Sequence, residues 1–135
     1  MAKDILNKKE FETLSDFRYQ LRRFLRFSEE LTLTYGITHL QYLLLLHIRG
    51  FHGREWATIR ELADRLQSQH HGVVSLVSRC EKLGLVYRKQ STVDRREVEV
   101  HLTPKGNEIV TELARQHKDE LLKLQGIFQV PGFKE

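Results

Sequence analysis

"VDRREVEVHLTPKG", residues 93–106, decides how this chain is read. Val98, Val100 and Leu102 alternate with Glu97, Glu99 and His101, which predicts a strand with one apolar face toward a core and one polar face outward. Thr103 and Pro104 then predict a helix start, with threonine as the N-cap and proline at the first helical position, where its missing N–H is no loss. Upstream, Leu85 to Lys89 reads as a second strand, so Gln90 to Arg96 becomes the polar tip of a hairpin. Arg88, Lys89, Arg95 and Arg96 lie at the strand end and tip, with only Asp94 to offset them locally. Cations placed there cannot serve a core. An arginine on a protruding tip suits contact with phosphate or insertion into a narrow minor groove.

N-terminal to the hairpin, Thr58 followed by Glu61 is a capping box that predicts a short helix from Ile59 to Leu66. A second helix, Gln69 to Leu83, follows after a few residues and stops at Gly84, and two helices joined this tightly suggest a helix-turn-helix. At 100° per residue, Val73, Leu76, Val77, Cys80 and Leu83 share the core side of the second helix. The opposite side presents His71, Val74, Ser75, Ser78 and Lys82, with no acid among them. Short polar side chains reach base edges in a major groove without clashing, and an exposed Val74 can meet a thymine methyl. Gln69 and His70 at the head of the helix join this candidate contact set. For an isolated helix an ordinary solvated face is the simpler reading, but the basic hairpin behind it turns the balance. A helix for the major groove and a basic ribbon for the neighbouring minor groove make a winged helix-turn-helix. Glu97 and Glu99 count against this reading unless they face away or pair with arginines.

The rest of the chain supplies helices. Phe11, Leu14, Phe17, Leu21, Phe24, Leu25 and Leu31 recur at three-or-four spacing, predicting one long amphipathic helix over Glu10–Leu33 that Gly36 ends. Thr38 and Gln41 form another capping box before the almost wholly apolar Leu40–Ile48, a buried helix. Gly50 to Trp56 reads as a loop, and a last helix runs from Pro104 through Ile109, Val110, Leu113, Leu121 and Leu124 to a cap near Gly126. The expected fold is mainly α with a small β-hairpin wing, one domain over residues 1–135. Its winged segment occupies about 38–102. The helices at 10–35 and 103–126 carry apolar stripes that a winged segment of about 70 residues cannot bury alone, which points to a homodimer held by them.

Composition sets the outer bounds. The 135 residues carry 22 Lys and Arg against 18 Asp and Glu, a net charge of +4 that matters for an anionic partner only if it is clustered. A single cysteine, Cys80, excludes an intramolecular disulfide, and the N-terminus lacks the apolar core of a signal peptide; the expected location is the cytoplasm. The longest apolar run, Tyr42–Leu46, is far short of the roughly 18–20 residues a membrane span needs.

"THLQYLLLLHI", "ATIRELADRL", "VVSLVSRCEKLGLVYR" and "DRREVEVHLTPKG", in series and over nearly the whole chain, resemble the MarR family of transcriptional regulators. The resemblance implies a symmetric dimer with interlocked terminal helices, each subunit offering its winged segment to half of a pseudo-palindromic operator in double-stranded DNA. It also implies a repressor released by a small aromatic or lipophilic ligand, an oxidant or a metal. Carried over by position, Gln69–Leu83 is the recognition helix and Asp94, Arg95 and Arg96 are the wing motif. Two departures stand out. Gln69-His70-His71-Gly72 replaces a Ser/Pro/Thr-rich opening, and the chain ends about 30 residues after Pro104, short for the family's pair of C-terminal helices.

Sharper readings compete with plainer ones. His70 and His71 point about 100° apart on a helix and do not chelate one ion, so no metal site is expected. Cys80, on the apolar face, reads as a small hydrophobe in competition with a redox trigger. Phe17, Phe24, Tyr42 and Trp56 are either core or, as the family resemblance implies, the lining of an effector pocket between the first helix and the winged segment. No catalytic constellation or cofactor motif appears, so an enzyme is not expected. The leading expectation is a dimeric, sequence-specific DNA-binding repressor. The alternative is a helical protein-interaction module of the same fold that does not bind DNA.

Overall fold

The computed structural model describes residues 5–134. Its elements run α1 (Lys8–Thr34), α2 (His39–Arg49), β1 (Trp56–Thr58), α3 (Ile59–Leu66), α4 (His70–Lys82), β2 (Val86–Gln90), β3 (Val98–Leu102) and α5 (Pro104–Leu124). Local chemistry explains the helix starts. Asn7, Thr38 and Thr58 each close a capping box on α1, α2 and α3, and Thr103 caps α5 by accepting the Gly106 N–H at 3.0 Å. At the end of α4 the Leu85 N–H reaches back to the Cys80 carbonyl at 3.0 Å and the Gly84 N–H to Glu81 at 2.9 Å. That double closure needs a left-handed residue between helix and strand, and Gly84 supplies it at φ +75°. After Leu124 the chain turns at Gln125–Ile127 and continues without a further helix, so α5 stands alone at the C-terminal end of the described residues.

The apolar reading of α2 places it at the centre. Leu44, Leu45 and Ile48 are fully buried and share one core with Leu62 of α3, Val73, Val77 and Cys80 of α4, Val100 of β3 and Val110 and Leu113 of α5. Each fully buried Leu or Ile is worth about 2–3 kcal/mol over its exposed state. The helix that touches every other layer therefore supplies the largest share of the core.

Three expectations are corrected. Trp56, read as the end of a loop, begins strand β1, which pairs antiparallel with β3 to give a three-stranded sheet in the order β1-β3-β2. A three-residue strand shows no alternation, and its partner rather than its own sequence specifies it. Because β1 lies beside β3, Glu99, expected in solvent, is buried at 8% exposure opposite Thr58 and Lys89. It is satisfied there by the imidazole Nε2 of His101 at 2.8 Å. Leu83, assigned to the core, is 39% exposed because it follows the last turn of α4 at the C-cap.

The first turn of α5 docks on the α4–β2 turn. Thr103 N–H donates to Leu85 O at 3.0 Å, Thr103 Oγ to Gly84 O at 2.6 Å and Lys105 Nζ to Leu83 O at 2.9 Å. A side chain at Gly106 would put its Cβ 2.9 Å from the Leu85 carbonyl carbon, and closer still to its oxygen. Backbone cannot yield as a flexible side chain would. Gly106→Ala is expected to cost about 3 kcal/mol, a large overpacking penalty, read as a lowered denaturation midpoint. A wild-type midpoint would contradict the close approach.

Candidate DNA interface

The open side of α4 carries Gln69, His70, His71, Ser75 and Lys82 in exposed positions, and Val74 and Ser78 half-buried at its edge. Arg79, outside the predicted contact set, is exposed and flanks Ser75 and Lys82 on the same side. Gln69, the N-cap, makes no side-chain bond to the first turn, unlike the caps of α1, α2, α3 and α5. The first-turn N–H groups of α4 thus keep their capacity for an external acceptor.

Behind α4 the wing is held by its own polar groups. Ser91 is buried at 7% exposure and its Oγ accepts the Val93 and Asp94 N–H groups at 3.2 Å each. Gln90 Nε2 donates to the Arg95 and Glu97 carbonyls, and the Glu97 N–H closes the turn on Asp94 O at 2.9 Å. Arg96 bends onto Asp94, its N–H, Nε and Nη2 all donating to that carboxylate at 3.0–3.1 Å. Those bonds hold the Asp94 carboxyl below the ordinary carboxylate range and raise the Arg96 guanidinium above its ordinary value. Arg95 is left exposed and without an ion pair among the described residues, beside a Val93 that is 95% exposed.

The wing acids each have a partner. Arg60, on the first turn of α3, reaches Glu97 at 3.1 Å, and Glu99 is turned against His101. Arg60 carried no sequence signal, because its role depends on α3 packing beside the wing. Arg88 also departs from expectation: it faces back across α4, with Nη1 on Glu81 and Nη2 on Val74 O and Ser78 Oγ at 3.0 Å each. It is not an exposed wing cation.

A helix with an open polar side, set beside a hairpin with one uncommitted arginine at its tip, is the arrangement of a winged helix-turn-helix. The MarR family model matches residues 35–97, the segment from the end of α1 through the wing. That segment is similar to the MarR family. Among solved structures, AbsC, a MarR family transcriptional regulator from Streptomyces coelicolor, is similar at 20% identity and TM-score 0.79, over 96% of this chain and 86% of that one. A MarR family protein from Bacillus stearothermophilus is similar at 23% identity and TM-score 0.75, over 93% and 86% of the two chains. The transcriptional regulator BldR from Sulfolobus solfataricus is similar at 22% identity and TM-score 0.68, over 91% and 87%. Likeness at this identity establishes the shared fold. A comparison with curated protein sequences finds no match.

The four aromatics read as a pocket do not meet. Trp56 lies on the outer face of the sheet, stacked on His101, which is also stacked on Tyr87; β1 pairing carries it there, so it is removed from the pocket grouping. Phe17 stacks on Phe128 with ring centroids 5.7 Å apart, while Phe24 and Tyr42 both contact His117. The sequence reading passed over His117, whose signal lies only in three dimensions. Its Nδ1–H donates to Leu113 O at 2.7 Å, which leaves Nε2 to accept the Ser28 hydroxyl at 2.8 Å and ties α5 to α1. A groove of about 620 Å³ opens beside it, lined by Tyr42, Leu46, Leu121, Leu124 and Phe128. Cys80 is fully buried and burial pushes its thiol up to about 11, which matches the packing reading. No group of three metal-ligating side chains occurs among the described residues.

The Asp94–Arg96 bonds set a testable titration. A carboxyl whose folded value is lowered keeps its bonded form above the ordinary range and loses it as pH falls through the lowered value. In Arg96→Ala the Asp94 midpoint, followed by NMR, is expected to rise toward the ordinary 3.8 while the core resonances stay in place. An unmoved midpoint would show that the pair does not hold in solution.

Proposed function

We propose that this protein is a homodimeric, sequence-specific DNA-binding transcriptional regulator acting in the cytoplasm as a repressor. The observation that carries the reading is the pairing of an acid-free open side on α4 with an unpaired Arg95 at the wing tip. His71, Ser75, Arg79 and Lys82 are assigned to the major groove, with Gln69 and His70 at the phosphate-facing first turn. Arg95 is assigned to phosphates or the adjacent minor groove, and Arg96 with Asp94 to the shape of the turn. Val74 and Ser78 contribute at the edge of the contact.

The whole chain acts as one domain, with residues 10–35 and 103–126 as dimerisation helices. Exposed apolar side chains support this: Phe11, Leu14, Tyr19 and Leu33 on α1, and Leu121, Leu122, Ile127, Val130 and Phe133 on α5 and after it. The groove beside His117 is assigned to a small aromatic or lipophilic effector, with Tyr42 and Phe128 in its lining and without Trp56. A rival helical interaction module would use the same surfaces for protein, and only phosphate recognition separates the two.

Counterion release makes that separation measurable. Binding to duplex DNA is expected to weaken log-linearly as salt rises, and Arg95→Ala is expected to reduce the slope by about 0.9 per half-site, about 1.8 in a symmetric dimer. A flat salt response of the wild type would remove the DNA reading, and an unaltered slope in Arg95→Ala would remove the wing from the contact. His71→Ala and Ser75→Ala are expected to shift base preference by roughly 1–3 kcal/mol with nonspecific affinity intact; unchanged preference in both would reject the facing of α4. Sedimentation at micromolar concentration is expected to give a dimer, and a monomer with α1 and α5 intact would reject the terminal-helix interface.

A further inference from the structure

One side chain joins the wing to α4 along two of its turns. Arg88 sits on β2 in phase with Val86 and opposite Val100, so it points from the sheet toward the helices. Its guanidinium divides between two groups of acceptors. Nη1 and the Arg88 backbone N–H both donate to the Glu81 carboxylate, and Nη2 donates to Val74 O and Ser78 Oγ. Residues 74, 78 and 81 lie one above another on a helix, so the fork fixes both the azimuth and the height of α4 against the wing. Ser78 in turn gives its own proton to Val74 O at 3.1 Å, which leaves its oxygen to accept from Arg88. The side chains of Arg88 and Glu81 are 28% and 33% exposed, a partly shielded setting in which a charged, multidentate bond holds better than one in open water.

We propose that Arg88 is a positioning residue for sequence recognition: it sets the angle at which α4 enters the groove and contacts no phosphate itself. The proposal rests on the DNA-binding reading above and deepens it. A recognition helix reads base edges only when its side chains fall within a few tenths of an ångström of them, while nonspecific binding to phosphates tolerates a rotated helix. Loss of the fork therefore lowers discrimination between sequences and leaves the electrostatic component intact. A phosphate contact makes the opposite pattern. A plain stabilising role lowers the melting temperature without separating the two kinds of binding.

Three variants distinguish these cases. Arg88→Lys keeps a cation that a phosphate accepts but cannot serve Glu81, Val74 O and Ser78 Oγ together. Arg88→Met removes the charge while keeping most of the stem. Glu81→Gln loses the anion that holds Nη1 and leaves Arg88 charged. Duplexes selected by the wild type, and one scrambled duplex, are titrated over a salt series with thermal melts of each variant. The expected result is a loss of roughly tenfold in the ratio of specific to nonspecific affinity in all three variants, the scale of a charged hydrogen bond. Nonspecific affinity and its salt slope stay at wild-type values in each, which also shows that the variants are folded. Wild-type discrimination in Arg88→Lys, or a slope reduced by about 0.9 per half-site in Arg88→Met alone, makes Arg88 a phosphate contact and overturns the proposal. Parallel loss of both kinds of binding and of melting temperature in all three variants overturns it in favour of plain stability. If the wild type binds neither duplex with a salt slope, the DNA-binding reading itself has failed and the proposal falls with it.

Discussion

The close approach of α5 to the α4–β2 turn is the constraint on which the rest of the arrangement depends. Three consecutive carbonyls, of Leu83, Gly84 and Leu85, are taken up by the first turn of α5, and Gly106 is the residue whose missing side chain permits it. Orphan carbonyls at the end of a helix must be satisfied somewhere. Here they are satisfied partly by Gly84's left-handed turn and partly by the helix proposed to carry the dimer contact. A displacement of α5 is thereby felt at the C-terminal end of α4 and the start of the wing, with no long lever between them. His117 anchors the far half of α5 to Ser28 of α1, so both halves of the helix are tied to other elements.

Net charge says little about such a protein; the placement of unpaired charge says more. The excess of +4 is small, and several arginines are spent internally: Arg54 on Glu61, Arg60 on Glu97, Arg88 on Glu81, Arg96 on Asp94. Arg54 also lies over the rings of Trp56 and Phe51 at 3.9 and 4.4 Å, a cation held between aromatic faces that steadies the loop before β1. What remains open near the wing, among the described residues, is Arg95 and Lys89, with Arg79 and Lys82 on α4. Of the two acids that argued against a DNA-facing wing, Glu97 holds Arg60 and Glu99 is bonded to His101. Their presence is thus a condition of the wing's shape.

Wherever the physical cause was local, the sequence was legible. The capping residues, the stop at Gly84, the Thr103–Pro104 start and the alternation over residues 98–102 each predicted an element whose ends the structure reproduces to within a residue or two. Strand β1, the burial of Glu99 and the pairing of Arg60 with Glu97 were not legible, since each is fixed by a neighbour remote in sequence. Arg88 is the instructive intermediate. Its two-residue phase with Val86 already placed it on the inward face, and the attraction of reading every wing cation as a phosphate ligand overrode that period. Trp56 leaves the aromatic group for a related reason: it was grouped by residue type, whereas strand pairing puts it against His101 on another face. His117 escaped because a lone histidine on an apolar helix face reads as ordinary core until its partners are seen.

The central claim, a helix reading the major groove beside a wing in the minor groove, is tested most directly on the DNA. Duplexes selected from a random pool by the purified protein are footprinted with a major-groove methylation reagent and with a minor-groove cleavage reagent. The account predicts one enriched pair of two-fold-related half-sites, each with guanine N7 protected in the major groove and minor-groove protection in the flank that the wing tip reaches. Enrichment of no sequence, or protection confined to one kind of groove, would contradict it.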